Sequence, residues 1–164
     1  MDDSWDIPKN VNDSPNPYLG CVELSSDRFP SFRGDAVERL KQLSEQIKSK
    51  GWKGVGGWIC AQKAETHAAI PEEEYWKQRI KAANAAGFDY WKVDWGKEDR
   101  NGEWRRKLTA IGKRYAPHLY IEHALQNEFI EFSDVFRTYD VENITAQPIT
   151  IRRICDLLPY KTVE

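Results

Sequence analysis

The stretch Phe88-Asp89-Tyr90-Trp91-Lys92-Val93-Asp94-Trp95-Gly96 decides the fold. Its first seven residues mix aromatic and β-branched side chains and then alternate apolar with charged, which predicts a strand. Lys92 and Asp94 stand two apart, so both lie on one side of it. Upstream, Pro71-Glu72-Glu73-Glu74 opens a helix, with Pro at the first position and acids in the first turn. Tyr75, Trp76, Ile80 and Ala83 form its inner face, and Ala86-Gly87 ends it. Downstream, a polar loop over 97–102 leads to a helix carrying Trp104, Leu108, Ile111 and Tyr115, which Pro117 stops.

The same unit repeats on both sides. Val37, Leu40, Leu43 and Ile47 recur at helical spacing over 35–50, with Asp35 near the start and Lys50-Gly51 as the cap. The glycine-rich 51–60 reads as a buried strand with close backbone approach, and it lacks the spacing of a phosphate loop. His118 to Glu122 predicts a third strand, followed by a short helical turn over 124–131. Ser133 to Asp140 predicts a fourth strand and its exit, and 148–158 a last amphipathic helix. Residues 1–34, rich in Pro, Asn, Asp, Ser and Gly, read as a long loop. Alternation of this kind implies α/β architecture with a parallel sheet, either doubly wound or part of a (β/α)8 barrel. A complete barrel takes about 250 residues. With 164 residues and four strands, the chain would make about half of one.

Composition narrows the function classes. Lys plus Arg is 24 and Asp plus Glu 26, which leaves no basic footprint for nucleic acid. No apolar run approaches the roughly 20 residues of a membrane helix. The acidic start, Met1 to Asp6, lacks the features of a secretory leader, and the compartment stays open. Cys21, Cys60 and Cys155 show no metal-ligand or disulfide spacing, so neither a disulfide framework nor a structural zinc site is expected. Seven Trp offer flat apolar faces of the kind that suit sugar rings.

Charge gathers at the strand exits: Lys92 and Asp94, Glu122 with His123, Arg137 and Asp140, and Asp2-Asp3 ahead of the first loop. In parallel α/β folds these exits share one face, where sites are built. A Lys beside Asp94 favours an ionised carboxylate fit for nucleophilic attack. A facing Asp140 would complete the carboxyl pair that glycoside hydrolysis needs. Glu142 is the rival for that second role, and His123 is the histidine best placed to take part.

These residues carry a resemblance. Asp2-Asp3-Ser4-Trp5 resembles the DDGW motif of the α-galactosidase clan of glycoside hydrolases, families 27 and 36. Asp27-Arg28-Phe29-Pro30 and Lys48-Ser49-Lys50-Gly51 resemble the clan's RFP and SKG passages. Tyr90-Trp91-Lys92-Val93-Asp94 is similar to its nucleophile strand, and Phe136-Arg137-Thr138-Tyr139-Asp140 to its acid/base segment. The resemblance runs from residue 2 to about 145. It implies a partial TIM barrel, roughly strands 3 to 6 with their helices. On that view 1–164 is an incomplete catalytic domain and 1–34 the exit of strand 2. It further implies a retaining α-glycosidase without cofactor, acting on terminal α-linked galactosyl or related residues. Asp94 would be the nucleophile and Asp140 the acid/base. Asp2, Asp3, Trp5, Trp58, Lys92, Trp95, Glu122 and Arg137 would bind the oligosaccharide or glycoside. Ser4 in place of Gly, and Trp95-Gly96 after the nucleophile, depart from the clan's pattern.

Two other readings fit parts of the same pattern. Asp94, Glu122 and Asp140 could hold Mg²⁺ with Lys92 as a base, in outline like the enolase superfamily. Alternatively the chain is a truncated, non-catalytic carbohydrate-binding protein. Open edges would then call for the missing barrel segments or for self-association.

Overall fold

The structure is a computed structural model and describes residues 1–11, 15–124, 131–136, 147–157, 159 and 162–163. Among the described residues, four helices and five strands follow one another as α1 (Ala36–Ser49), β1 (Gly56–Ile59), α2 (Glu72–Ala85), β2 (Tyr90–Val93), α3 (Gly102–Tyr115), β3 (Tyr120–His123), β4 (Val135–Phe136), α4 (Gln147–Leu157) and β5 (Thr162–Val163). One 3₁₀ turn, Glu65–His67, sits between β1 and α2. No described helix is long and apolar enough to cross a membrane.

The helices begin and end for the local reasons the sequence carries. Asp35 accepts from the Glu38 N–H at 2.9 Å while Glu38 reaches back to the Asp35 N–H at 3.0 Å, a reciprocal cap. Gly51 takes φ +94° just past the end of α1, where a side chain would be strained. Asn101 caps α3 through the Trp104 N–H at 3.1 Å. Pro71 is the N-cap of α2, one residue outside the first helical position that the sequence predicts.

The strands join in the order β1-β2-β3-β4-β5, every pair parallel. Chain order and spatial order coincide, so the sheet never reverses direction. A doubly wound sheet reverses at a switch point and carries helices on both faces; this one keeps adding strands on the same side. β5 adds a strand beyond the four predicted.

Side-chain alternation separates the two faces. Ile59, Trp91, Val93 and Ile121 are buried in one core with Leu40 and Leu43 of α1, Tyr75, Trp76 and Ile80 of α2, and Trp104 and Leu108 of α3. The three indoles of Trp76, Trp91 and Trp104 meet edge to face, with centroids 5.4 and 6.5 Å apart. The opposite face carries Trp58, Tyr90, Lys92, Tyr120 and Glu122, and Tyr120 is 59% exposed there. Parallel sheets are ordinarily covered on both faces. On this face, opposite α1 to α3, Ile7, Leu19 and Tyr18 of the N-terminal loop pack on Trp58 and Cys60.

Met1 lies along the free edge of β1. Its ammonium donates to the Gly56 carbonyl at 2.8 Å and its carbonyl accepts from the Trp58 N–H at 3.0 Å. These are the two bonds a parallel neighbour makes around Gly57. Residue 1 therefore takes the place of a parallel neighbour beside β1, and Asp2 follows it.

Candidate active site

Asp94 leaves β2 at the carboxyl edge of the sheet. Its N–H donates to the Ile59 carbonyl at 2.9 Å, which continues the β1–β2 ladder. Its Oδ2 accepts from the Trp58 indole Nε1 at 3.0 Å. Trp58 is only 4% exposed, so that donor is fixed by packing. Trp58, Lys92 and Glu122 stand in register across β1, β2 and β3, with Asp94 one step nearer the exit on the same face. A depression of about 300 Å³ on this face is lined by Asp2, Trp58, Tyr90 and Lys92, among others. Asp3 belongs to the same neighbourhood: burial pushes the Cys60 thiol up to about 12, and the charges of Asp6, Asp3 and Asp94 push it the same way.

Trp95 follows with its ring against Trp58, centroids 5.4 Å apart at 54°. Its carbonyl accepts from the Ala61 N–H at 2.7 Å and from the Cys60 thiol at 3.2 Å. Gly96, at φ +151°, passes so close to Ala61 that a Cβ would lie 2.5 Å from its carbonyl oxygen. That close approach folds the loop back and leaves the Trp95 side chain 42% exposed.

The sequence-predicted residues divide by placement. Asp2, Trp58 and Lys92 line one depression, and Asp94 and Trp95 each meet Trp58 at the exits of β1 and β2. Glu122 shares their row and is fully buried. Trp5 needs correction as a pocket wall. It is 3% exposed, packs on Phe88 and donates its Nε1 to the Trp58 carbonyl at 2.8 Å, so it anchors the loop beneath the site. Arg137, Asp140 and Glu142 lie outside the described residues, as does most of the turn predicted over 124–131. β4 ends at Phe136, one residue before Arg137.

His123 belongs to the other face. Arg105 Nη1 contacts its Nδ1 at 3.1 Å and Thr109 Oγ1 its Nε2 at 2.8 Å. Because the guanidinium can only donate, Nδ1 accepts and Nε2 carries the proton. The Thr109 hydroxyl then passes its own hydrogen to the Arg105 carbonyl at 3.0 Å. Burial, with Arg105 beside it, lowers the His123 pKa to about 3. It is a neutral structural group rather than an acid or base for the open face.

Arg105 is the residue that sequence reasoning missed. Fully buried in the first turn of α3, it donates to the carbonyls of Asp94 at 2.6 Å, Val93 at 2.9 Å and Asp99 at 2.8 Å. One side chain thus clamps the exit of β2 and the loop after it. Burial lowers its pKa to about 10, against the opposing pull of Asp99 and Asp94. The sequence holds a faint signal: Arg105, Thr109 and Gly112 recur at helical spacing beside the apolar Trp104 and Leu108.

Chemistry at other places is weaker. A depression of about 390 Å³ between α2 and α3 is lined mainly by apolar Trp76, Trp104 and Leu108 and touches no strand exit. Among the described residues, Cys21, Glu23 and His67 hold three ligand atoms within 4.8 Å of one another. Arg79 already pairs with Glu23, and burial pushes the Cys21 thiol up to about 12. The cluster therefore reads as an ion pair beside a protonated thiol.

The chain matches no protein-family model. No curated protein matches it either.

Proposed function

We propose that the chain is the central part of a retaining α-glycosidase of the α-galactosidase kind, built on a (β/α)8 barrel. On this reading β1 to β4 are barrel strands 3 to 6, and β5 is the seventh. The single-direction strand order, with α1 to α3 packed on one face, supports the barrel. Met1 at the β1 edge supports the place given to strand 2. Ser4 holds φ +67°, the left-handed conformation that the Gly of the DDGW motif would favour.

One observation carries the activity: the Asp94 carboxylate at a strand exit, fixed by the Trp58 indole, on the open face with Lys92 and Asp2. An Asp94 oxygen attacks the anomeric carbon as the bond to the leaving oxygen breaks, and Asp140 gives that oxygen its proton. Water, deprotonated by Asp140, then displaces the ester and returns Asp94 as carboxylate. The indole N–H holds Oδ2 and leaves Oδ1 to attack. Lys92 and Asp2 hold ring hydroxyls. Asp140 enters this scheme through the motif resemblance alone.

The test is hydrolysis of a nitrophenyl α-galactoside, with retention of configuration followed by NMR. A chain that binds the glycoside and releases sugar of inverted configuration would remove the retaining mechanism. The 59% exposure of Tyr120 on the face opposite α1 to α3 favours a second reading. In it the chain binds sugar but turns it over only when further strands or a second copy cover that face. Turnover that appears only with self-association would support this version.

A further inference from the structure

We propose that Cys21, Glu23 and His67 bind a zinc ion, with water or a small ligand as its fourth partner. The site is built by the N-terminal loop and the 3₁₀ turn before α2, and it does not rest on the glycosidase reading. The three ligand atoms lie within 4.8 Å of one another. Around a tetrahedral ion, at about 2.3 Å for sulfur and about 2.0 Å for nitrogen or oxygen, such atoms stand about 3.5 Å apart, so shifts of about 1 Å close the set. Thiolate, imidazole and carboxylate together favour Zn²⁺ over Mg²⁺ or Ca²⁺, which take oxygen ligands. A depression of about 330 Å³, lined by Cys21 and Glu23 among others, gives the ion a way in.

Each ligand is positioned by a partner that leaves a ligating atom available. The Tyr75 hydroxyl meets the carbonyls of Gly20 at 2.6 Å and Cys21 at 3.1 Å. A cysteine has one side-chain torsion, so a fixed backbone leaves its sulfur few positions. The His67 ring lies 5.6 Å from the Tyr75 ring, and its Nδ1 meets Thr66 Oγ1 at 3.0 Å. In the tautomer that donates from Nδ1, Nε2 carries the lone pair, and it stands 3.9 Å from Glu23. Burial, with Arg79 nearby, holds this imidazole below its usual pKa and so keeps it neutral. Arg79 pairs with Glu23 Oε1, and the second carboxylate oxygen remains for an ion. Val22, between Cys21 and Glu23, holds φ +53°, which a β-branched residue rarely adopts. The Asp6 carboxylate keeps it there by accepting its N–H at 2.9 Å, and strain of this kind gathers where ligands are clamped. Burial, then the charges of Glu23 and Asp6, keep the Cys21 thiol protonated until an ion displaces its proton to solvent. Thiolate, Glu23 and Asp6 are then three negative charges against one Arg79 guanidinium, and a divalent cation balances them.

The experiment titrates zinc chloride calorimetrically into the full, reduced chain at pH 7.5, in two buffers of different ionisation enthalpy. One ion should bind per chain, at micromolar affinity or tighter, and release about one proton, that of the Cys21 thiol. Cys21→Ser should weaken binding about 100-fold and His67→Ala at least about 10-fold. Cys155→Ser, at an exposed cysteine outside the cluster, should change nothing. Cobalt taken up in place of zinc should give a sulfur-to-metal absorption band that Cys21→Ser removes. Circular dichroism checks the fold of each variant, and the cobalt band reports on the unsubstituted chain whatever the variants do. No binding, or millimolar affinity only, overturns the site. So does binding without proton release, a cobalt spectrum without the thiolate band, an affinity that survives Cys21→Ser, or one that is lost in Cys155→Ser.

Discussion

The guanidinium of Arg105 donates to the backbone carbonyl of Asp94 at 2.6 Å. The proposed nucleophile is therefore held from below by a buried cation on α3, and its carboxylate stays on the opposite face. Replacing Arg105 with Gln should leave the carbonyls of Val93, Asp94 and Asp99 poorly satisfied and cost about 2–4 kcal/mol of stability. Arg105→Lys should recover only part, because one ammonium cannot span three divergent acceptors. Urea denaturation of the three proteins measures this, and a loss under about 0.5 kcal/mol would show that the clamp is dispensable.

Asp94→Ala should abolish glycoside turnover, a loss of at least about 10⁴-fold, with restoration by azide. The small anion fits the space left by the carboxylate and attacks in its place. The product would be a glycosyl azide of inverted configuration, visible by NMR. An unchanged rate in Asp94→Ala would end its nucleophile role.

Trp58→Phe keeps most of the packing but removes the N–H on Asp94 Oδ2. With that oxygen no longer fixed, kcat/KM should drop about tenfold, while stability falls by about 1–2 kcal/mol for the lost hydrogen bond and ring area. Steady-state kinetics and denaturation separate the two effects. Loss of stability without loss of rate would make Trp58 a packing residue only.

Asp6 gives a pH dependence. Burial raises its pKa from 3.8 to about 6, although its Oδ2 accepts from the Val22 N–H at 2.9 Å. Below 3.8 both folded and unfolded chains keep the proton, so nothing is lost. Between 3.8 and about 6 the unfolded chain releases a proton that the folded chain retains, so stability falls as pH rises. Above that window the penalty is complete, on the order of 3 kcal/mol. Asp6→Asn should be the more stable protein at pH 7.5, and its advantage should shrink at pH 4.5. Thermal melts at the two pH values test this, and a pH-independent difference would refute it.

His123 has the opposite sign. Its pKa falls from 6.5 to about 3 in the folded chain. As pH drops below 6.5 the unfolded chain takes up a proton that the folded one refuses, and stability declines by up to about 1.4 kcal/mol per pH unit. Nitrogen-15 spectra should show a neutral ring with hydrogen on Nε2 at pH 5. A protonated His123 in the folded chain at that pH would break the closed ring it forms with Arg105 and Thr109.

The sequence by itself determined helices α1 to α3, strands β1 to β3 and the side of β2 that Lys92 and Asp94 share. Periodicity, the Asp35 and Asn101 caps and the Gly51 terminator are local, and so is the two-residue spacing that sets Lys92 and Asp94 on one side of β2. Local physics sufficed because each signal involves residues within about one turn of each other. Tertiary structure decided the rest. Trp5, in the stretch that resembles DDGW, was expected to bind substrate; only its packing on Phe88 and its bond to the Trp58 carbonyl show it buried. Arg105, inside a helix with no motif, gained its role from three carbonyls brought to it by β2. His123 follows Glu122 by one residue, and the alternation of β3 sent it to the helices. The one-way strand order, which decides between a doubly wound sheet and a singly wound one, depends on pairings between residues 13 to 34 apart. Such pairings are set by which apolar faces bury together, and no short stretch of the chain encodes them.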